Sequence, residues 1–204
     1  GASTYAAAHA NTNDSTIKAY IDNWYKTNIL GTANEQYLAD NVFCNDRSIS
    51  TYTTSSNTKL GYGTNSTYYR WVYGPWNGTN YGNMKMMLTC PQKNDAFTVS
   101  DTTNGNGALT YPVGLLSTDE IALAGGWGEE NSGYYLYSGQ LQWWWASSPF
   151  YFDRSHANMR IVYHGGIANN IIGVNDALWV RPVFNLKAEV LNNGGGTADN
   201  PYHV

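Results

Sequence analysis

Two aromatic and apolar blocks near the C-terminal end of the chain constrain its fold most. The first reads Q-W-W-W-A-S-S-P and begins at Gln142, and the second reads A-L-W-V-R-P-V-F-N-L and ends at Leu186. The residues between them mix polar and aromatic side chains without a regular period. This pattern predicts a rigid aromatic strand, an irregular display segment and a closing strand that holds the segment in place, which is typical of a binding surface rather than a catalytic pocket.

The composition indicates an extracellular protein with one hydrophobic core. At 204 residues the chain is long enough for a single domain. Charged residues make up only 13%, whereas the chain has 17 Tyr, 8 Trp and 21 Gly. Antibody combining loops use a similar mixture of stiff aromatic rings and adaptable Ser, Gly and Asn, although most of these rings are equally expected in the core.

The charge and hydropathy patterns exclude two classes of partner. The net charge is −4 and the basic residues form no run, which argues against nucleic acid because phosphate binding needs clustered Lys and Arg. No apolar run approaches the length of a membrane span, and no charged and apolar leader opens the chain. We therefore expect neither nucleic-acid binding nor membrane insertion.

The two cysteines, Cys44 and Cys90, lack metal-ligand spacing. In an exported protein they would form a disulfide that closes a loop of about 45 residues and stabilises the fold by about 3–4 kcal/mol in the chain-entropy model. In a cytosolic protein they would be two buried thiols. The composition favours export and therefore the disulfide.

Local signals predict two helices. Asp14 or Ser15 can cap the first, in which apolar residues recur at helical spacing from Ile17 to Tyr25, and Gly31 can end it. Residues 1–13 before it are expected to be a flexible lead-in to a single domain of residues 14–204. Residues 117–120 read S-T-D-E, a capping box that opens a second helix running to about residue 124, where two glycines stop it.

Short strands follow the second helix. Alternating apolar residues bounded by Gly or Asn predict strands at residues 134–137, 143–146, 159–163, 166–172 and 179–186. Two helices with a set of short antiparallel strands are an α+β arrangement. In it, Trp24, Leu116 and Ile121 would pack against the sheet, and Arg181 would pair with a buried carboxylate such as Asp46 or Asp119.

Several motifs carry a resemblance to known proteins. The motifs W-W-A-S-S-P at residues 144–149, A-x-x-x-I-x-x-x-G at 157–165 and V-R-P-V at 180–183 resemble the end of bacterial C-type lectin-like domains. That group includes the Fibrobacter-type paralogous surface domains, the formylglycine-generating-enzyme-like proteins and the variable proteins of diversity-generating retroelements. Blocks at residues 43–48, 109–120, 134–137 and 194–202 resemble an uncharacterised family of surface proteins from gut Firmicutes and their relatives.

The resemblance implies a C-type lectin-like fold, in which two helices flank a small twisted antiparallel sheet with long irregular loops. It also implies a ligand face between the two aromatic blocks, at residues 150–175, with Trp143 or Trp145 as an apolar anchor. The side chains expected to form that face are Phe150, Tyr151, Phe152, Asp153, Arg154, His156, Asn158, Tyr163, His164, Asn169 and Asn170. The alternative is that Phe150 and Phe152 belong to the core and the rest is a solvated loop.

The sequence gives little support for a calcium site, a zinc site or a catalytic site. The E-P-N or Q-P-D loop of calcium-dependent lectins is missing, and only Asn175-Asp176 matches the second half of their site. Formylglycine-generating relatives need a cysteine pair near the C-terminal half, where this chain has none. The four histidines lack zinc spacing and no G-x-S-x-G motif occurs. We therefore expect no catalytic residues, metal or cofactor.

These observations favour a non-enzymatic module, secreted from a bacterium or displayed on its surface, that binds a glycan or a protein. A structural subunit of a surface fibre or adhesin is the first alternative, because aromatic patches also serve as subunit contacts. A formylglycine-generating-enzyme-like oxidase is the second.

Overall fold

The chain forms a mixed α+β structure in which two main helices accompany small antiparallel sheets. A computed structural model describes residues 4–49, 66–70, 86–126, 131–137, 142–163, 166–191, 194–195, 197 and 199–200. The helices are α1 Tyr5–Ala8, α2 Thr16–Asn28 and α3 Thr118–Leu123. The strands are β1 Phe43–Cys44, β2 Ser66–Tyr68, β3 Ala96–Phe97, β4 Trp143–Asp153, β5 Ala157–Tyr163 and β6 Gly166–Gly173. Within the described ranges, no helix has the length and apolar character needed to cross a bilayer.

Helix α2 confirms the first predicted helix. The Ser15 side chain caps it by accepting a hydrogen bond from the Lys18 N–H at 3.1 Å. Its buried face packs on an apolar cluster through Ile21 and Tyr25, and Tyr25 stacks on Tyr111 at 4.8 Å between ring centroids. Trp24 packs against Phe184 at 5.8 Å, and so it lies beside this cluster. The expectation that Trp24 packs on the sheet was wrong because α2 is covered by residues outside the strands, such as Tyr111 and Phe184.

The described part of the predicted flexible lead-in, residues 4–13, contains helix α1 and is linked to a distant loop by three hydrogen bonds. Asn11 donates its side-chain N–H to the Asn94 carbonyl at 2.7 Å, and Asn94 donates in return to the His9 carbonyl at 2.6 Å. This reciprocal pair links the segment before α2 to the 3₁₀ turn at Lys93–Asp95.

The larger sheet has four antiparallel strands in the order β2-β4-β5-β6, and β1 pairs with β3 in a separate two-stranded sheet. Strands β4 and β5 form a long hairpin in which Trp143 faces Tyr163 at one end and Phe152 faces Ala157 at the other. The register shifts on both sides of Pro149. Proline has no N–H to donate to the ladder, and the irregularity accommodates it inside the strand.

The predicted strands are confirmed at three of five places. Residues 143–146 lie in β4, residues 159–163 in β5 and residues 166–172 in β6. Residues 134–137 form a turn, in which the Tyr137 N–H donates to the Tyr134 carbonyl at 2.8 Å. Residues 179–186 make only isolated bridges, from Trp179 to Trp144, Val183 to Gly114 and Leu186 to Leu38. These bridges reach three different segments, so they form no continuous ladder, and Pro182 has no N–H to contribute to one.

Helix α3 packs on the sheet and confirms the second helix prediction. Ser117 and Glu120 make both hydrogen bonds of the capping box, and the Thr118 N–H donates to Ser148 Oγ of β4 at 2.9 Å. Ile121 and Ala122 form the main core cluster with Trp144, Ala146 and Val162, and Leu116 packs at its edge. The expectations for Leu116 and Ile121 are therefore confirmed.

A buried ion cluster and a disulfide connect the remaining segments to this core. Cys44 and Cys90 form the disulfide that the sequence favoured. The Arg70 guanidinium donates to Asp46 at 2.5 Å and to Asp119 of α3 at 2.7 Å. Burial on its own lowers the pKa of Arg70, but the two carboxylates outweigh it and hold this pKa above its usual value.

The prediction that Arg181 pairs with Asp46 or Asp119 was wrong, because Arg70 pairs with both carboxylates. Arg181 instead donates to the Leu136 carbonyl at 3.0 Å, and its guanidinium lies 5.0 Å from the centre of the Trp144 ring.

Replacing Arg70 by methionine tests how much this ion cluster contributes to the free energy of unfolding. Arg70→Met leaves two buried carboxylates without their cation, so we expect the free energy of unfolding to fall by about 3–5 kcal/mol in urea titrations. Lys18→Met is the control, because it removes a pair with Asp22 one helical turn away on α2, for which we expect a loss below about 1 kcal/mol. Equal losses in the two variants would contradict a special role for Arg70.

Candidate functional site

The predicted display segment is regular structure and not an irregular loop. The described residues of the range 150–175, which leave out 164 and 165, comprise the end of β4, a tight turn, β5, β6 and the start of the following turn. The prediction of an irregular segment was wrong because neighbouring stretches of the segment satisfy their backbone groups by pairing with each other. Any ligand face here is therefore presented by strand ends and turns.

Three of the predicted ligand residues lie inside the protein. Trp145, Phe150 and Asn158 have exposed fractions of 3%, 8% and 5%. The Phe150 ring lies under the Arg160 guanidinium, 3.5 Å from its centre, and the Asn158 side chain donates to the Tyr151 carbonyl at 3.3 Å. For Phe150 the core alternative therefore describes the structure, and Trp145 is not available as the apolar anchor. Phe152 is half-buried opposite Ala157.

The accessible predicted residues separate into two groups at opposite ends of the β4–β5 hairpin. Asp153, Arg154 and His156 lie at the turn, and Trp143 and Tyr163 lie at the other end. Strand β4 runs from Trp143 to Asp153, which places these groups roughly 30 Å apart. One small ligand cannot contact both groups. His164 lies outside the described residues, and so do the side chains of Asn169 and Asn170, whose backbone belongs to β6.

Asp153 organises the turn at the hairpin tip. Its Oδ1 accepts hydrogen bonds from the Ser155 N–H at 2.9 Å, the Ser155 hydroxyl at 2.9 Å and the His156 N–H at 2.6 Å. These bonds, led by the one from the Ser155 backbone, hold the pKa of Asp153 well below its usual value. Because the folded pKa is depressed, this stabilisation of the turn is complete above the unfolded pKa and is lost as the pH falls through the folded one.

The tip contains a serine, a histidine and an aspartate, but their geometry is not that of a catalytic triad. Ser155 Oγ lies 2.8 Å and Asp153 Oδ2 lies 3.3 Å from the same atom, His156 Nδ1. A triad needs the hydroxyl and the carboxylate on different ring nitrogens. The arrangement is therefore a hydrogen-bonded turn. Among the described residues, no three His, Cys, Asp or Glu side chains are grouped closely enough to hold a metal ion.

At the other end of the hairpin, three aromatic side chains lie on neighbouring backbone segments. We call Trp143, Tyr163 and Trp179 the aromatic end. The Trp143 and Tyr163 rings meet edge to face at 4.9 Å between centroids. Trp179 is 64% exposed although two hydrogen bonds fix its backbone. Its N–H donates to the Trp143 carbonyl at 3.0 Å, and its carbonyl accepts from the Trp145 N–H at 3.2 Å.

Trp179 is an accessible aromatic residue that the sequence reasoning placed in a strand but not in the site. The alternation in L-W-V offered a signal, because it directs Trp179 away from the side of Leu178 and Val180, which are half-buried. The result is a large ring held at the surface by a rigid backbone.

Fold and site together define a disulfide-bonded α+β protein whose central hairpin carries aromatic rings at one end and a polar turn at the other. A family profile described as Domain of unknown function (DUF6273) matches residues 13–188, and the chain therefore belongs to this family. No curated protein and no solved structure matches the chain. The blocks at residues 43–48, 109–120 and 134–137 that carried the resemblance to an uncharacterised family lie within the matched range, whereas residues 194–202 lie outside it.

A substitution at Arg154 can test ligand contact at the hairpin tip without changing the stability of the fold. Its φ angle is +81°, in the region that favours glycine, and its side chain is exposed. We expect Arg154→Gly to leave the free energy of unfolding unchanged or to raise it by up to about 1 kcal/mol. A loss of ligand binding in this variant would then report a contact made by the side chain.

The control at the same turn is Ser155→Gly, which removes the hydroxyl bond to Asp153 and should destabilise by about 1 kcal/mol. Urea unfolding curves of both variants provide the measurement. A clear destabilisation by Arg154→Gly would show that its side chain holds the fold.

Proposed function

We propose that the protein is a non-enzymatic binding module with a C-type lectin-like fold that recognises a glycan through the aromatic end. The observation that carries this proposal is the 64% exposure of Trp179 on a backbone fixed between Trp143 and Trp145. Exposed apolar surface on a rigid scaffold marks interaction sites. An exposed flat ring suits the flat face of a sugar, and such a ring can equally anchor a protein ligand.

The fold proposal rests on the order and packing of the elements. Helix α2 precedes the sheets, α3 packs on β4 and β6, and the antiparallel strands β4, β5 and β6 follow α3 in the chain. A secreted or surface location is supported by the Cys44–Cys90 disulfide, since such bonds persist in oxidising compartments.

A binding role is favoured over catalysis by the chemistry of the accessible residues. The Ser155 and Asp153 contacts fall on one nitrogen of His156, which leaves no activated hydroxyl at the tip. Both cysteines of the chain are in the disulfide, so this form has no thiol for formylglycine-type oxidation.

A subunit of a surface fibre is the second candidate, and the sheet edges favour it. In the order β2-β4-β5-β6, β2 and β6 are outermost among the described strands. Outer strands can pair with a strand of another chain. Sedimentation that shifts to larger species with rising concentration would favour the fibre subunit, and a monomer at all concentrations would favour the binding module.

Trp179→Ala tests the aromatic end directly. After a glycan array has identified a ligand, we expect this substitution to weaken binding at least about tenfold, because a central aromatic contact is lost. Most of the residue is exposed, so the thermal unfolding midpoint should stay close to that of the parent protein.

Tyr20→Ala is the matched control, since Tyr20 is 59% exposed on α2, outside the sheet. It should bind like the parent. Equal binding by Trp179→Ala and the parent, with both folded, would reject the aromatic end as the site, and an array without any ligand would reject glycan recognition.

A further inference from the structure

A cavity of about 380 Å³ lies beside α3, and the proposed function does not use it. Its charged lining includes Asp46, Arg70 and Asp119, the ion cluster that joins the loops to α3. Met87, Leu88 and Leu123 contribute apolar walls. The volume lies in the range of small-molecule sites and has room for roughly a dozen water-sized groups.

The described lining of the cavity carries an excess of negative charge. It contains Asp46, Asp119 and Glu120 against one arginine, so three negative charges and one positive charge leave a formal charge of −2. The side chains of Asp46 and Asp119 are only 6% and 5% exposed. Buried charge is costly unless it is compensated, and a cation entering the cavity would compensate it.

The carboxylates are held in place but retain acceptor capacity. Asp46 Oδ1 accepts from the Ser48 N–H at 2.9 Å, and Asp119 Oδ1 accepts from the Met87 N–H at 2.7 Å, while Arg70 occupies one further oxygen of each. A carboxylate has about four acceptor positions. Two preorganised acceptors can therefore receive further N–H donors without losing the bonds that position them.

The rim of the cavity is apolar and open to solvent. Leu88 is 64% exposed and Leu123 is 57% exposed, and both line the cavity. Large aliphatic side chains left at the surface beside a charged floor favour an occupant with an aliphatic arm and a cationic head.

We propose that this cavity binds an alkylammonium group, of the kind found on lysine side chains and on free aliphatic amines. The ammonium would lie against Asp46 and Asp119, and the alkyl arm would contact Leu88 and Leu123. The site shares no residue with the aromatic end, so the two proposals stand or fall separately.

Titrations followed by ¹H–¹⁵N NMR test this site with n-butylammonium chloride. We expect saturable shifts of the Met87 and Glu120 amide signals, because both residues line the cavity. The neutral alcohol n-butanol has the same alkyl arm and should bind at least about tenfold more weakly, since it lacks the charge-assisted hydrogen bonds. A second titration uses N-acetyl-lysine methylamide, which carries a lysine side chain. Tighter binding of this compound indicates a lysine side chain as the natural occupant, and tighter binding of butylammonium indicates a free amine.

A pair of rim variants keeps the test independent of folding. Leu123 is exposed at the C-terminal end of α3, where a lysine is tolerated. Leu123→Lys places an ammonium group of the protein itself at the rim and should abolish saturable butylammonium binding. The neutral Leu123→Gln should keep the affinity for butylammonium within about threefold of the parent protein.

Three results would overturn the proposal. One is butanol binding as tightly as butylammonium, a second is equal binding by Leu123→Lys and Leu123→Gln, and a third is the lack of any saturable shift of Met87 and Glu120 in the millimolar range. An array that finds no glycan would leave these results unaffected, so failure of this site and failure of the aromatic end are distinguishable.

Discussion

The ion cluster of Asp46, Arg70 and Asp119 is the contact on which the arrangement of the described elements depends. Arg70 follows β2, Asp46 follows β1, and Asp119 lies in the first turn of α3, so one guanidinium joins three separate parts of the chain. A buried ion pair adds little net stability compared with an apolar contact, but a missing partner leaves an uncompensated charge. The cluster therefore specifies which segments meet, while the apolar core around Ile121 and Trp144 supplies most of the stabilising free energy.

The β4–β5 hairpin decides what kind of surface the protein presents. Alternate residues of β4 point to opposite faces, and the inner face carries Trp144 and Ala146 into the core. The residues that remain accessible collect at the two ends of the hairpin, where backbone pairing stops. A polar turn organised by Asp153 lies at one end, and the aromatic end lies at the other. This separation by strand length makes the aromatic end a candidate for ligand recognition that is independent of the polar turn.

The aromatic end and the cavity beside α3 have different chemistry. The first offers ring faces on a fixed backbone, which suits a flat ligand at the surface. The second is concave and negatively charged, with an aliphatic rim that suits a cation. A module with both proposed sites could hold a glycan and a basic group at once. Strand β4 contributes to both sites, because Trp143 lies at its start and Ser148 contacts α3.

Local interactions explain what could be predicted from the sequence. The start of α2 at Ser15 and the start of α3 at Ser117 depend on hydrogen bonds within one helical turn, so neighbouring residues suffice to identify them. A chain with two cysteines has only one possible internal disulfide. Three of the five predicted strands were likewise identified, although β4 extends further than its predicted range.

The tertiary structure alone decided which aromatic rings are buried and which arginine meets the buried carboxylates. Trp145 and Trp179 are both flanked by apolar residues, yet one is 3% exposed and the other 64% exposed. Arg70 and Arg181 are chemically equal partners for Asp46, and only the position of β2 beside β4 selects Arg70. Burial and ion pairing depend on residues far away in sequence, because an apolar or charged side chain is stabilised by whatever the fold places against it, and no local pattern contains that information.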